Sequence, residues 1–199
     1  MSNQVDLLNL FQAVTSTLSE NKEDLNQADH YNNDHGDHMV KIFEVITGAV
    51  ENTSSAEISQ GFSKASKLLD GMDSGSAEMY SKGLSQAADY FQEKEFDASE
   101  ILPLIQTMLG GGKADIKKGA GGMLDSLVDS FAGEDGLDMG DVLRAGSAFL
   151  KSKEEGDSNL EAAVDAIISA SAMGEEPYRA KSSQLVANTL LNTLTDTLK

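Results

Sequence analysis

This sequence predicts an all-α fold, and three observations predict it. Apolar residues recur at three- and four-residue spacing through most of the chain. No run of alternating or β-branched residues reads as a strand. Short loops join the periodic segments. The first helix carries Val5, Leu7, Leu8, Leu10, Phe11, Val14 and Leu18, with Asn3 as its expected cap. The second covers 39–50, with Ile42, Phe43, Ile46 and Val50 on one stripe. Helices over 56–69 and 77–91 follow. Pro103 sits near the start of a helix through Met108, where its missing N–H costs least, and Gly110, Gly111 and Gly112 end that helix. Later patterns cover 123–131, 139–151, 160–173 and 179–198, the last with Leu185, Val186, Leu190, Leu191, Leu194 and Leu198 in register. The expectation is eight or nine helices in a single domain over residues 1–199.

Two of these helices resemble each other. Ser59-Gln60-Gly61-Phe62-Ser63-Lys64-Ala65-Ser66-Lys67-Leu68-Leu69 returns, 22 residues on, as Ser81-Lys82-Gly83-Leu84-Ser85-Gln86-Ala87-Ala88-Asp89-Tyr90-Phe91. Two copies are too few for a solenoid, so the expectation is two neighbouring helices with similar packing faces. Glycine inside a helix costs about 1 kcal/mol against alanine. Gly61 and Gly83 therefore predict close helix approach.

Composition narrows the function. With no cysteine, a disulfide scaffold, a thiolate metal site and a thiol nucleophile are excluded. Fifteen Lys and Arg against 33 Asp and Glu give a net charge of −18. Nucleic-acid backbones and anionic lipid select the opposite sign. Arg144 and Arg179 are the two arginines, which argues against an arginine clamp on phosphate. No apolar stretch reaches 18 residues, and residues 1–6 lack a basic segment leading into an apolar one. The expectation is a cytoplasmic protein engaging neither membrane nor nucleic acid.

Chemistry-bearing residues concentrate in Asp29-His30-Tyr31-Asn32-Asn33-Asp34-His35-Gly36-Asp37-His38, which holds all three histidines and three aspartates. Its oxygen donors suit Mg²⁺ or Ca²⁺, and its histidines suit Zn²⁺ or another transition metal. It reads equally as a polar loop with Asp37 near a helix N-terminus, where negative charge is favourable. EF-hand spacing is absent. A second candidate is Gly110-Gly111-Gly112-Lys113 with Gly119-Ala120-Gly121-Gly122-Met123-Leu124. Glycines before a helix admit a phosphate, although neither a P-loop nor a Rossmann spacing is present, and a helix-ending linker accounts for them too. Ser182 and Ser183 beside Lys181 read as a solvated helix face, with no Ser-His-Asp arrangement. The acidic stretch 133–141 reads as a surface loop with Asp138 as a cap.

These two segments resemble the L-subunit, nucleotide-binding domain of dihydroxyacetone kinases, a domain also found in fatty-acid kinases. The family loop reads approximately Asp-x-x-x-x-Asp-Gly-Asp-His-Gly-x-Asn-Met, and Asp34-His35-Gly36-Asp37-His38-Met39 is similar to its second half. Asn21, Lys22, Leu25 and Asn26 resemble its lead-in, and Phe43 and Val45 the helix that follows. Gly119-Ala120-Gly121-Gly122-Met123-Leu124 resembles the family's Gly-Ala-Ser-Gly-Pro-Leu, and Gly156-Asp157 and Arg179-Ala180 echo two later motifs. The resemblance implies an eight-helix, antiparallel up-and-down barrel with its ligand site at one end. It implies ATP or ADP held through Mg²⁺ on loop carboxylates, here Asp29, Asp34 and Asp37 with help from Asn32. His35, Gly36 and His38 would lie beside the phosphates, with Gly121 and Gly122 across from them. A separate subunit would hold the acceptor. Ungapped, only Asp34 falls on a family aspartate, the other two positions being Gln27 and Asn32. With one insertion Asp29 and Asp34 match and Asp37 is displaced by one. The alternative is a noncatalytic relative whose barrel binds another ligand, a metal through His30, His35 and His38, or a protein partner.

Overall fold

The computed structural model describes residues 6–51, 53–109, 164, 168 and 171–197. Among these it is all-helical, without a strand. Seven α-helices run α1 Leu7–Glu20, α2 Lys22–Ala28, α3 His35–Val50, α4 Ile58–Asp70, α5 Gly75–Tyr90, α6 Ile101–Leu109 and α7 Pro177–Thr197, with short 3-10 turns at Ser55–Glu57, Ala98–Glu100 and Ala172–Gly174. The cap of α1 is Asp6, whose carboxylate accepts from Asn9 N at 3.3 Å; the expected cap, Asn3, lies outside the described residues. The expected helices over 123–131 and 139–151, most of 160–173, and the glycines from Gly110 to Gly122 lie outside them too.

The periodic residues named above form the core. Leu10, Phe11, Val14 and Leu18 of α1 meet Ile42, Phe43 and Ile46 of α3 and the Val186, Leu190, Leu194 stripe of α7, all of them buried. Phe11 lies 6.4 Å from Phe43 and 6.2 Å from Phe62, the latter edge-on, and Phe43 lies 5.3 Å edge-on from Tyr80. Offset and edge-on pairs like these let each ring's positive edge meet a negative face. No described helix is long and apolar enough to cross a membrane.

The two similar segments are α4 and α5, packed together as neighbours. Gly83 sits where α5 meets the end of α6. A Cβ there would collide with Met108 O and lie 2.7 Å from Thr107 O. Gly61 is tight against side chains, 3.0 Å from Thr53 Oγ1 and 3.2 Å from Val50 Cγ1. Both glycines thus mark close approach, one against backbone and one against atoms that can give way.

The largest departures from expectation are at α2 and α3. α3 begins at His35, so the second half of the polar segment is a helical turn. α2 was not anticipated: a seven-residue helix offers too few turns for a periodic signal.

Candidate functional site

The polar segment is a short turn, Asp29 to Asp34, followed by the first turn of α3. Asn33 takes φ 57°, the left-handed region that asparagine tolerates better than most residues. Asp29 is buried, and its Oδ1 accepts the Tyr31 N–H at 3.0 Å, which closes the turn on itself.

Asp34 occupies the cap position of α3 but does not cap it. Asn26 of α2 does. Its Oδ1 accepts from Gly36 N at 2.7 Å and from Asp37 N at 3.2 Å, and its Nδ2 donates to Asp37 Oδ2 at 2.9 Å. A helix start whose donors are satisfied by another helix leaves its own cap carboxylate uncommitted. Asp34 Oδ1 is buried and has no hydrogen bond, although His38 Nδ1 lies 3.3 Å away, a pairing that becomes ionic when His38 is protonated. Gly36 is required for this arrangement, because a Cβ would collide with Lys22 O.

Asp37 is engaged elsewhere. Lys22 Nζ stands 3.1 Å from Asp37 Oδ1. The Asn26 and Lys22 hydrogen bonds hold the Asp37 carboxyl below the usual carboxylate range. Lys22 is raised in turn by the same partner.

His35 turns inward, towards α7. Its Nε2 lies 2.9 Å from Ser182 Oγ, and Ser182 Oγ donates to Arg179 O at 3.0 Å. The hydroxyl has one proton to give, so His35 Nε2–H is the donor and Nδ1 is bare. The His35 ring meets Tyr178 edge-on at 4.7 Å. Burial pushes His35 down to about 4, against the pull of Asp29 and with the help of Arg179 and His38. It is neutral at pH 7.

Arg179 completes the cluster. Its guanidinium lies over Tyr178, 5.3 Å from the ring centre. It also reaches α5, where Nη2 stands 3.1 Å from the place a Cβ on Gly75 would occupy. Gly75 is the first residue of α5, so the guanidinium lies beside the N-terminal turn of a 16-residue helix. The Arg179 Nε is buried without a hydrogen-bond partner.

The structure thus brings Asp29, Asp34, His35, Gly36 and His38 to one end of the helices. Asn32 and His30 are exposed on the turn, Gly121 and Gly122 lie outside the described residues, and the Gly36 N–H is occupied by Asn26. Ser182 and Ser183 are 1% and 0% exposed, which corrects the expectation of a solvated face. Sequence reading missed Tyr178, Ser182 and the Gly75 end of α5 as members of this cluster. The available signal was the Ser-Gly-Ser run at 74–76, a helix cap followed by residues that admit a close neighbour. Among the described residues, no group of three or more His, Asp or Glu is arranged to hold a metal ion. No family model, curated protein or solved structure matches the chain.

Proposed function

We propose that this chain is a nucleotide-binding helical domain resembling the L subunit of dihydroxyacetone kinase. In this reading it is an eight-helix up-and-down barrel working in the cytoplasm. It takes Mg²⁺-bound ATP or ADP at the end where the Asp29–Asp34 turn meets α7, whose Arg179 reaches the start of α5, and serves phosphoryl transfer to an acceptor held by a separate subunit. The observation that carries this is Arg179. A guanidinium beside a helix N-terminus, with its Nε buried and unpartnered, places two groups that favour anions next to one another, and a phosphate against both would satisfy them.

The donors available suit Mg²⁺ in a particular way. Mg²⁺ is usually held by one or two carboxylates plus substrate phosphates and water, not by a cage of protein ligands. Asp29 and Asp34, the latter without a hydrogen bond at Oδ1 and with His38 3.3 Å from it, supply two carboxylates, and Asp37 is spent on Lys22 and Asn26. Bound there, Mg²⁺ would screen phosphate charge in a chain carrying −18. The protein's own part is positioning: Arg179 holds phosphate, and Tyr178, His35 and Ser182 hold Arg179 and the turn in register.

A second reading, a noncatalytic relative, is favoured by the commitment of Asp37 and His35 to internal bonds. Here the turn is a clasp between α2, α3 and α7, and the same end receives another ligand or a protein.

Isothermal titration with ADP, with and without Mg²⁺, on the wild type and on Asp34→Ala, separates the two. Binding that needs Mg²⁺ and is lost in the variant supports the first reading. Failure to bind ADP under either condition overturns it, and Zn²⁺ or Ni²⁺ uptake without nucleotide supports the second.

A further inference from the structure

Tyr31 is out of keeping with its surroundings. It is 76% exposed, one of two exposed large hydrophobic residues among the described residues. It is nevertheless held. Its N–H is bonded to Asp29 Oδ1 at 3.0 Å, and the left-handed Asn33 two residues later fixes the far side of the turn. The ring rests edge-on against Tyr178 at 6.1 Å, and Tyr178 in turn contacts both His35 and Arg179. Two of the four tyrosines in the chain therefore meet beside the cation that the phosphate reading depends on.

An exposed aromatic ring held by its neighbours is a stacking platform, because a planar base covers apolar surface there without any polar group having to be matched. We propose that Tyr31, braced by Tyr178, receives the aromatic base of the ligand whose phosphate lies at Arg179. The ligand class is then a nucleoside phosphate and not a sugar or glycerol phosphate, which offers no planar face. This assignment rests on the phosphate reading of Arg179 and adds to it the part of the site that recognises the base.

The test uses the full chain with Mg²⁺ and two probes, ADP and pyrophosphate, which share the phosphates but not the base. Tyr31 is exposed, so Tyr31→Ala leaves the fold intact. Stacking is expected to make ADP bind about 5- to 150-fold more tightly than pyrophosphate. Tyr31→Ala is expected to bring ADP to the pyrophosphate value without changing pyrophosphate itself, and Tyr31→Phe to keep the difference. The chain has no tryptophan, so tyrosine emission is readable, and ADP but not pyrophosphate is expected to quench it. Equal affinities in the wild type, or an ADP preference that survives Tyr31→Ala, overturn the platform and leave the phosphate site standing. If neither probe binds, both are overturned.

Discussion

Ser59 of α4 donates its hydroxyl to the carbonyl oxygen of Ala88 on α5 at 2.7 Å, and the bond is repeated with the helices exchanged. Ser81 occupies in α5 the place Ser59 holds in α4, and it donates to Ser66 O at 2.9 Å, Ser66 being the counterpart of Ala88. The two similar segments are therefore related by a local two-fold axis, each giving a hydroxyl to the other. Ser59→Ala and Ser81→Ala are expected to destabilise by similar amounts, about 1 kcal/mol each. Urea unfolding of both variants checks the equality. A cost confined to one of them would mean the axis has no energetic counterpart.

The glycines make a graded series. Gly83→Ala is expected to cost about 3 kcal/mol, because its Cβ meets the backbone of α6, which cannot step aside. Gly61→Ala is expected to fall within about 1 kcal/mol of neutral, since Thr53 and Val50 side chains can yield and helix propensity improves. Gly48→Ala meets nothing and is expected to stabilise by up to about 1 kcal/mol. Thermal melts of the three variants test the order.

Asn26 makes three bonds across to α3, so Asn26→Ala leaves the Gly36 N–H buried without a partner and is expected to cost about 2 kcal/mol or more. Asn26→Asp keeps the acceptor but sets a carboxylate against Asp37. Its loss is expected to shrink as pH falls and one of the two takes up a proton, which denaturation at pH 7 and pH 4 would reveal.

Because Asp37 is engaged by Lys22 and Asn26, Asp37→Asn is expected to leave Mg²⁺-dependent ADP affinity within about threefold, whereas Asp34→Ala abolishes it. The two titrations are run side by side. Equal losses would show that Asp37 leaves its partners to meet the ligand.

His35 imposes a pH dependence whose sign follows from its neutral burial. Its folded value of about 4 lies below the usual 6.5. The unfolded chain therefore binds a proton that the folded chain refuses. The contribution is complete above pH 6.5 and is lost as pH falls towards 4, by about 3 kcal/mol in all. His35→Gln keeps a donor for Ser182 and cannot titrate. Its unfolding free energy is expected to fall less steeply between pH 7 and 4.5 than that of the wild type.

The helices were legible because burial imposes its period directly: Leu10, Val14 and Leu18 repeat every turn. The turn was legible because three histidines and three aspartates crowd ten positions. What Asp37 does was not, since its partners Lys22 and Asn26 lie on a helix too short to leave a period. Ser182 was misjudged for a different reason. A serine beside a lysine looks solvent-facing until the fold lays His35 against it, and no local pattern carries that contact.

His35 and Ser182 are 147 positions apart in the chain, and Arg179 reaches Gly75 from the same turn of α7. A polypeptide emerging from the ribosome has the turn, its aspartates and the start of α5 long before the helix that binds them together. A chain without α7 would have the turn and the start of α5 but neither Ser182 nor Arg179 to join them. If that end takes a nucleotide as proposed, binding would begin only once α7 has docked and would report that α7 is in place.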